Sequence, residues 1–280
     1  MTTVAQAFVP GHITGFFTSN PDPDPTKAGS RGGGIALTEG VTVTARPAEE
    51  PQAVLNGDPI EMEAVDAVLG ALDASAEVRG VTDLPLGSGF GISGAMALGA
   101  ALSVNEVFDR QLSANELVTI AHGAEVQAGT GLGDVVGQAR GGVPLRLDPG
   151  GPQDNTIDEI PARRRVEYHV IGELETADVL GGNTEALTEA GKQALSTVVR
   201  EPTMATFMRA SRTFSRESNL LTADVRRVID DVTEAGGTAA MAMLGQTVFA
   251  LDHGLSEAGY DPGVAAIDPC GAKLEPTAEH

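Results

Sequence analysis

The sequence is poor in cysteine and in positive charge. Cys270 is its one cysteine, which excludes an internal disulfide and fits a reducing cytoplasm. Its only lysines are Lys27, Lys192 and Lys273, and Lys plus Arg total 18 against 39 Asp plus Glu, for a net charge of −21. So few cations exclude nucleic acid as a partner, because phosphate neutralisation needs basic surface. No apolar run reaches the ~18–20 residues of a membrane span, so no membrane partner is expected. The start, "MTTVAQAFVPGHITGFF", lacks a basic segment followed by an apolar one, so no signal peptide is expected and the protein is placed in the cytoplasm.

What is present is a globular composition. The 280 residues are 41% hydrophobic, enough to bury a substantial core. The acidic residues are scattered and form no tail. Such like charge strains a compact state at ordinary salt, but near 1 M salt the Debye length falls to ~3 Å. A salt-loving source is the expectation.

Patterning gives strands and turns first, then helices. "VAQAFVPGH" predicts a short strand ended by Pro10-Gly11, "NPDPDPTKAGSRGGG" a long loop, and "IALTEGVTVTARP" a strand stopped by Pro47. "EMEAVDAVLGALDA" has helical spacing, and "AEVRGVTDL" predicts a strand. A helix is expected over about 93–107. Ser113 and Glu116 form a capping box for another, running to about Gln127. "VVGQARGGVPLRLD" reads as paired strands, and the Pro, Gly and Asp of "DPGGPQDNTIDEIP" suggest a domain boundary. Beyond it come a strand, helices at roughly 182–199, 202–217 and 222–235, and closing strands.

The stretch "PLGSGFGISGAMALG" carries the chemistry. Gly89 to Gly94 match G-x-G-x-x-G, but the dinucleotide fingerprint needs a strand–helix–strand unit, and here helix follows helix. No lysine follows the glycines, so a Walker A loop also fails. A glycine loop feeding a helix N-terminus remains, which suits an anion through bare N–H groups and the helix dipole. Without lysine, magnesium has to supply much of the positive charge. The plainer alternative is a tight turn with no ligand.

The same stretch resembles the P-x-G-x-G-L-G-S-S-A motif of the GHMP small-molecule kinases. With "FVPGHITGFF", "GSRGGG", "AHGAEVQAGTGLGDVVGQARGGVPLR" and "AMAMLGQTVFAL", most of the chain resembles the archaeal pantoate kinase branch of that superfamily. Ile92 replaces the motif's first serine, Gly94 its alanine, and the third motif keeps only Gly245. The resemblance implies a two-domain α+β GHMP kinase fold. Residues 1–155 would be the nucleotide-binding domain and 156–280 a ferredoxin-like α/β sandwich. It also implies ATP with Mg2+, and phosphorylation of the 4-hydroxyl of pantoate on the archaeal route to coenzyme A.

Phosphoryl transfer needs a clamped phosphate, neutralised charge and an aligned hydroxyl. Pro85, Gly87, Ser88, Gly89, Gly91 and Ser93 are the expected nucleotide residues. The Ser93 hydroxyl can reach magnesium or phosphate, or merely cap its helix. Glu125, near a helix C-terminus where a carboxylate is disfavoured, is expected to face a cation, which the resemblance makes magnesium. Asp134, after the flexible "GTGLG", is by resemblance the general base or the group that orients the hydroxyl. His122 shares a helix face with Glu125 at i and i+3 and could donate to the acceptor. Arg146 is a carboxylate fork, by resemblance for pantoate, and Ser30 resembles the family's substrate-side serine. Each also has a bland reading as a surface charge, turn residue or core polar group.

Two other functions stay open: a GHMP kinase for another hydroxylated acceptor such as homoserine or a mevalonate derivative, and a non-catalytic nucleotide-binding relative. "FVPGHITGFF" and "GSRGGG" argue against the first, and Glu125 with Asp134 against the second. The oligomeric state is open, a homodimer included.

Overall fold

A computed structural model describes residues 3–172, 185–243 and 245–276. The first part of the chain mixes strands and helices, as an α+β protein does: β1 (Ala5–Asn20), β2 (Gly29–Pro47), β3 (Gln52–Leu55), β4 (Asp58–Ile60), α1 (Glu63–Ala71), β5 (Ala76–Val81), α2 (Ile92–Val107), α3 (Ala114–Ala128), α4 (Asp134–Arg140), β6 (Val143–Arg146) and β7 (Ile157–Ile160). There follow β8 (Arg165–Gly172), α5 (Glu185–Arg200), α6 (Met204–Glu217), α7 (Ala223–Glu234), β9 (Ala239–Ala242), β10 (Gln246–Leu251), α8 (Gly254–Glu257), β11 (Gly263–Ala266) and β12 (Lys273–Glu275). The helix expected from 182 begins at Glu185; residues 182–184 lie outside those described.

Two sheets organise these elements. One has the order β12-β1-β2-β5-β3-β4, with β6 pairing to β2 and β7 to β6; the other has the order β11-β8-β10-β9. Two hydrophobic cores match them. Val9, Val41, Val43 and Val78 pack with α1, α2 and α3 in one, and Ile13, Phe16, Ile35 and Phe249 with α5, α6 and α7 in the other. β1 and β2 thus run through both cores. Burying each of Phe16, Phe207 and Phe214 is worth about 1.5–3 kcal/mol.

Three local expectations are corrected. Pro10-Gly11 does not end β1; a register shift there lets the strand continue to Asn20. The glycines of "GSRGGG" belong to β2 and not to a loop, and they mark close approaches. A Cβ on Gly32 would overlap the Phe16 carbonyl, and one on Gly34 the His12 ring. "VVGQARGG" is not a strand. It forms α4, with Val135 and Val136 buried, and Gly141 at φ 78° ends it.

α2 is buried nearly all round because its residues are small. A Cβ on Gly99 would overlap Val43, so glycine lets the helix lie close on β2. This fixes the N-terminus of α2 where the glycine loop delivers it.

Candidate active site

Between β5 and α2 the chain turns on Gly87, Gly89 and Gly91, at φ 68°, 86° and 66°. L side chains rarely adopt that region, which explains the glycine at every second position. Gly91 is the N-cap of α2 and no side chain caps the helix, so its first-turn N–H groups and dipole remain for an anion. Ser93 is therefore not the N-cap; it is the second helical residue. Pro85 is half-buried and Gly87 exposed. Ser88 is buried and its Oγ donates to the Leu86 carbonyl at 3.1 Å, so what it offers a phosphate is its backbone N–H. Thr247 Oγ1 donates to the Ser88 carbonyl at 2.9 Å, and Gly245 approaches so closely that a Cβ would overlap that carbonyl. The β9–β10 connection thus braces the loop.

The acids come from α3 and α4. The capping box forms: Ser113 N–H donates to Glu116 Oε2 at 2.8 Å and Glu116 N–H to Ser113 Oγ at 3.4 Å. At the other end Glu125 is only 2% exposed. Its Oε1 accepts from Ser93 Oγ at 2.5 Å and Thr130 Oγ1 at 2.7 Å. Burial pushes its carboxyl up to about 7; the two hydroxyl bonds oppose this and the charge of Asp134 adds to it. A side chain on Gly131 would overlap Glu125 Oε2 and stand 3.4 Å from Asp134 Oδ2, so glycine lets the two carboxylates share one space.

Asp134 opens α4. His12 Nδ1 donates to its Oδ1 at 2.7 Å and Thr14 Oγ1 at 3.2 Å. Burial pushes this carboxyl up, but the His12 bond and charge, Arg146 and the Thr14 bond outweigh it and hold it below the ordinary aspartate value. His12 is fully buried, which lowers its own pKa despite Asp134. Its ring sits between backbones, since a Cβ on Gly34 or on Gly137 would collide with it.

Arg146 on β6 lies opposite Gly32 of β2, which brings it beside Ser30. Both are 3% exposed. Arg146 Nε and Nη1 are buried without a protein partner. A Cβ on Gly133 would stand 2.6 Å from Ser30 Oγ and 2.7 Å from Arg146 Nε. Thr14, Phe17, Ser30, Leu132, Gly133, Asp134 and Arg146 line one small cavity, partly open to solvent. His122 stands behind it. Its Nε2 donates to the Ala28 carbonyl at 2.8 Å, while Nδ1 is buried without a partner. Burial and the nearby Arg146 charge lower the pKa of the ring, against the Ala28 bond and the Asp134 charge.

The fold therefore gathers Ser30, Asp134 and Arg146 in one cavity, with Glu125 and Ser93 between it and the glycine loop. Sequence reasoning gave no role to His12, Thr14, Thr130 or Gln138. For His12 the signal was a histidine beside Pro10-Gly11, but its partner is 122 residues away. Among the described residues, no three or more His, Cys, Asp or Glu side chains gather to hold a metal. Glu125 and Ser93 supply two hard oxygens, which fits magnesium that takes its other ligands from phosphate and water.

Residues 61–142 match the GHMP kinases N terminal domain family. Pantoate kinase of Thermococcus kodakarensis is 34% identical over 268 residues, covering 88% of this chain and 87% of that protein. Pantoate kinase of Methanospirillum hungatei is 30% identical, covering 89% and 88%. A solved phosphotransferase related to the CoA biosynthesis pathway superposes with a TM-score of 0.87 at 30% identity, over 97% of this chain and 98% of that one. At that identity and coverage, the chain belongs to the pantoate kinase family of the GHMP kinases.

Proposed function

We propose that the protein transfers the terminal phosphoryl group of ATP to the 4-hydroxyl of pantoate, giving 4-phosphopantoate for coenzyme A synthesis. One observation carries the substrate: Arg146 has two buried N–H groups without partners, in the same cavity as Asp134. A buried donor pair calls for an acceptor that the protein does not provide, and a carboxylate matches the guanidinium fork. Phe17 and Leu132 give the cavity an apolar side, suited to the two methyl groups of pantoate.

Residues 85–93 hold the triphosphate, through the N–H groups of the first turn of α2 and the Ser93 hydroxyl. Glu125 and Ser93 would hold magnesium, which would supply positive charge against the phosphates. Arg146 and Ser30 hold the pantoate carboxylate, and His122 Nδ1 is the spare acceptor behind them. His12 and Thr14 occupy Asp134 Oδ1, leaving Oδ2 for the attacking hydroxyl. A carboxyl held below its ordinary value is a weak base. It orients the hydroxyl first and takes its proton late, which suits a loose transition state.

A nucleotide-binding half up to about residue 155 and a second half from 156 follow the family resemblance, although β1 and β2 run through both cores and β7 and β12 join the first sheet. The acidic surface supports a salt-rich cytoplasm. The test is a screen in about molar potassium chloride, where charge is screened. ATP and magnesium are offered with pantoate, homoserine, mevalonate or shikimate, and products are identified by mass. Phosphopantoate is expected; phosphorylation of another acceptor with none of pantoate refutes the reading.

A further inference from the structure

Gln138 is fully buried on α4, one turn after Asp134 and on the same helix face. Its Nε2 donates to the Gly91 carbonyl at 2.8 Å. That carbonyl also accepts from Ala95 N–H at 3.0 Å, the first helical bond of α2. The approach leaves no slack. A Cβ on Gly91 would stand 3.1 Å from Gln138 Nε2 and 3.4 Å from Asp134 Cβ. The other end of the amide is unsatisfied among the described residues: Oε1 is buried with no partner, 3.0 Å from where a Cβ on Gly94 would be, a point that Glu125 Oε2 approaches to 3.4 Å.

A buried oxygen without a donor works against folding, and an apolar side chain of equal length would remove it. Stability alone therefore does not explain the amide. Its donor end joins the N-cap of the phosphate-binding helix to the helix that carries the hydroxyl acceptor. We propose that Gln138 is a positioning residue for phosphoryl transfer, fixing Gly91 and the bare N–H groups of α2 at the distance from Asp134 that in-line transfer requires. This rests on the reading of Asp134 and the glycine loop given above. In-line transfer is sensitive to such spacing, since a displacement of about 1 Å can cost ~100-fold in rate.

The test uses two variants of the full chain. Gln138→Met removes the donor and the orphan oxygen together. Its kcat is expected to fall ~10- to 100-fold, with the KM for pantoate nearly unchanged because Arg146 and Ser30 are untouched. Its Tm is expected to stay level or rise. Gln138→Leu, which also lacks the donor, is expected to show the same fall in kcat with the same unchanged KM. A kcat within about twofold of wild type for both variants would overturn the proposal, as would activity lost only in step with Tm. Wild-type turnover is measured first. If pantoate is not phosphorylated, the substrate reading fails, and the same ratios are taken with the acceptor that is turned over.

Discussion

Arg146→Met removes the charge but keeps an unbranched side chain in the space beside Ser30 and Gly133. Arg146 is 3% exposed, with Nε and Nη1 unpartnered among the described residues, so on the proposed function the carboxylate of bound substrate would take up both donors. A hydrogen bond to a charged group contributes about 1.5–3 kcal/mol. One such bond lost corresponds to ~10- to 150-fold weaker binding. The KM for pantoate should rise by that factor while the KM for ATP stays within about threefold. Two further readouts follow from burial. It lowers the Arg146 pKa despite Asp134, so folding disfavours the charge, and the free variant should melt no lower than wild type. Arg146 is also one of the groups that hold Asp134 down, so without it the acid limb of kcat/KM should move to higher pH. Steady-state kinetics with each substrate varied, a melting curve and a pH profile make the assay. A KM for ATP that rises more than that for pantoate places Arg146 on the nucleotide side, and an acid limb moving to lower pH refutes the electrostatic argument.

Asp134 and Glu125 should respond differently to magnesium. Asp134→Asn should lower kcat ~10²- to 10⁴-fold at every magnesium concentration, whereas Glu125→Gln, a poorer ligand for a hard cation, should partly recover as magnesium is raised. A magnesium titration of both variants at saturating substrates checks this, and recovery of Asp134→Asn alone would reverse the two roles. The net charge of −21 should make folding salt-dependent, so Tm should climb as potassium chloride is raised towards molar; a flat Tm would refute the screening argument.

What could be read from the sequence was what depends on near neighbours. The capping box at Ser113 is a four-residue signal, and it forms. The alternate glycines 87, 89 and 91 announce a backbone that only glycine adopts readily, and all three have positive φ. Reading failed where a residue's meaning depends on a distant strand. Gly32, Gly33 and Gly34 resemble a loop in isolation. They sit in β2 because the Phe16 backbone, the Phe16 ring and the His12 ring crowd them. Val135 and Val136 suggested a strand by their branching, but the packing of α4 against β1 and α2 overrides that preference. The glycine loop, Glu125 and its shared helix face with His122 can be read from local spacing, whereas the roles of Ser30, Asp134 and Arg146 come from a family pattern. His12 with Asp134, and Gln138 with Gly91, became visible only once the chain had been folded.

The pairing of β12 with β1 has a consequence for how the protein is made. Residues 273–275 add the strand that covers Gln6, Ala7 and Phe8, more than 260 positions earlier in the chain. While the ribosome is still elongating, that side of β1 presents unpaired N–H and C=O groups to any other extended chain. Such distant pairing closes late, because the loop entropy has to be overcome before the contact stabilises anything. Until that pairing closes, one edge of the first sheet stays open, and pairing with another extended chain competes with completion of the sheet.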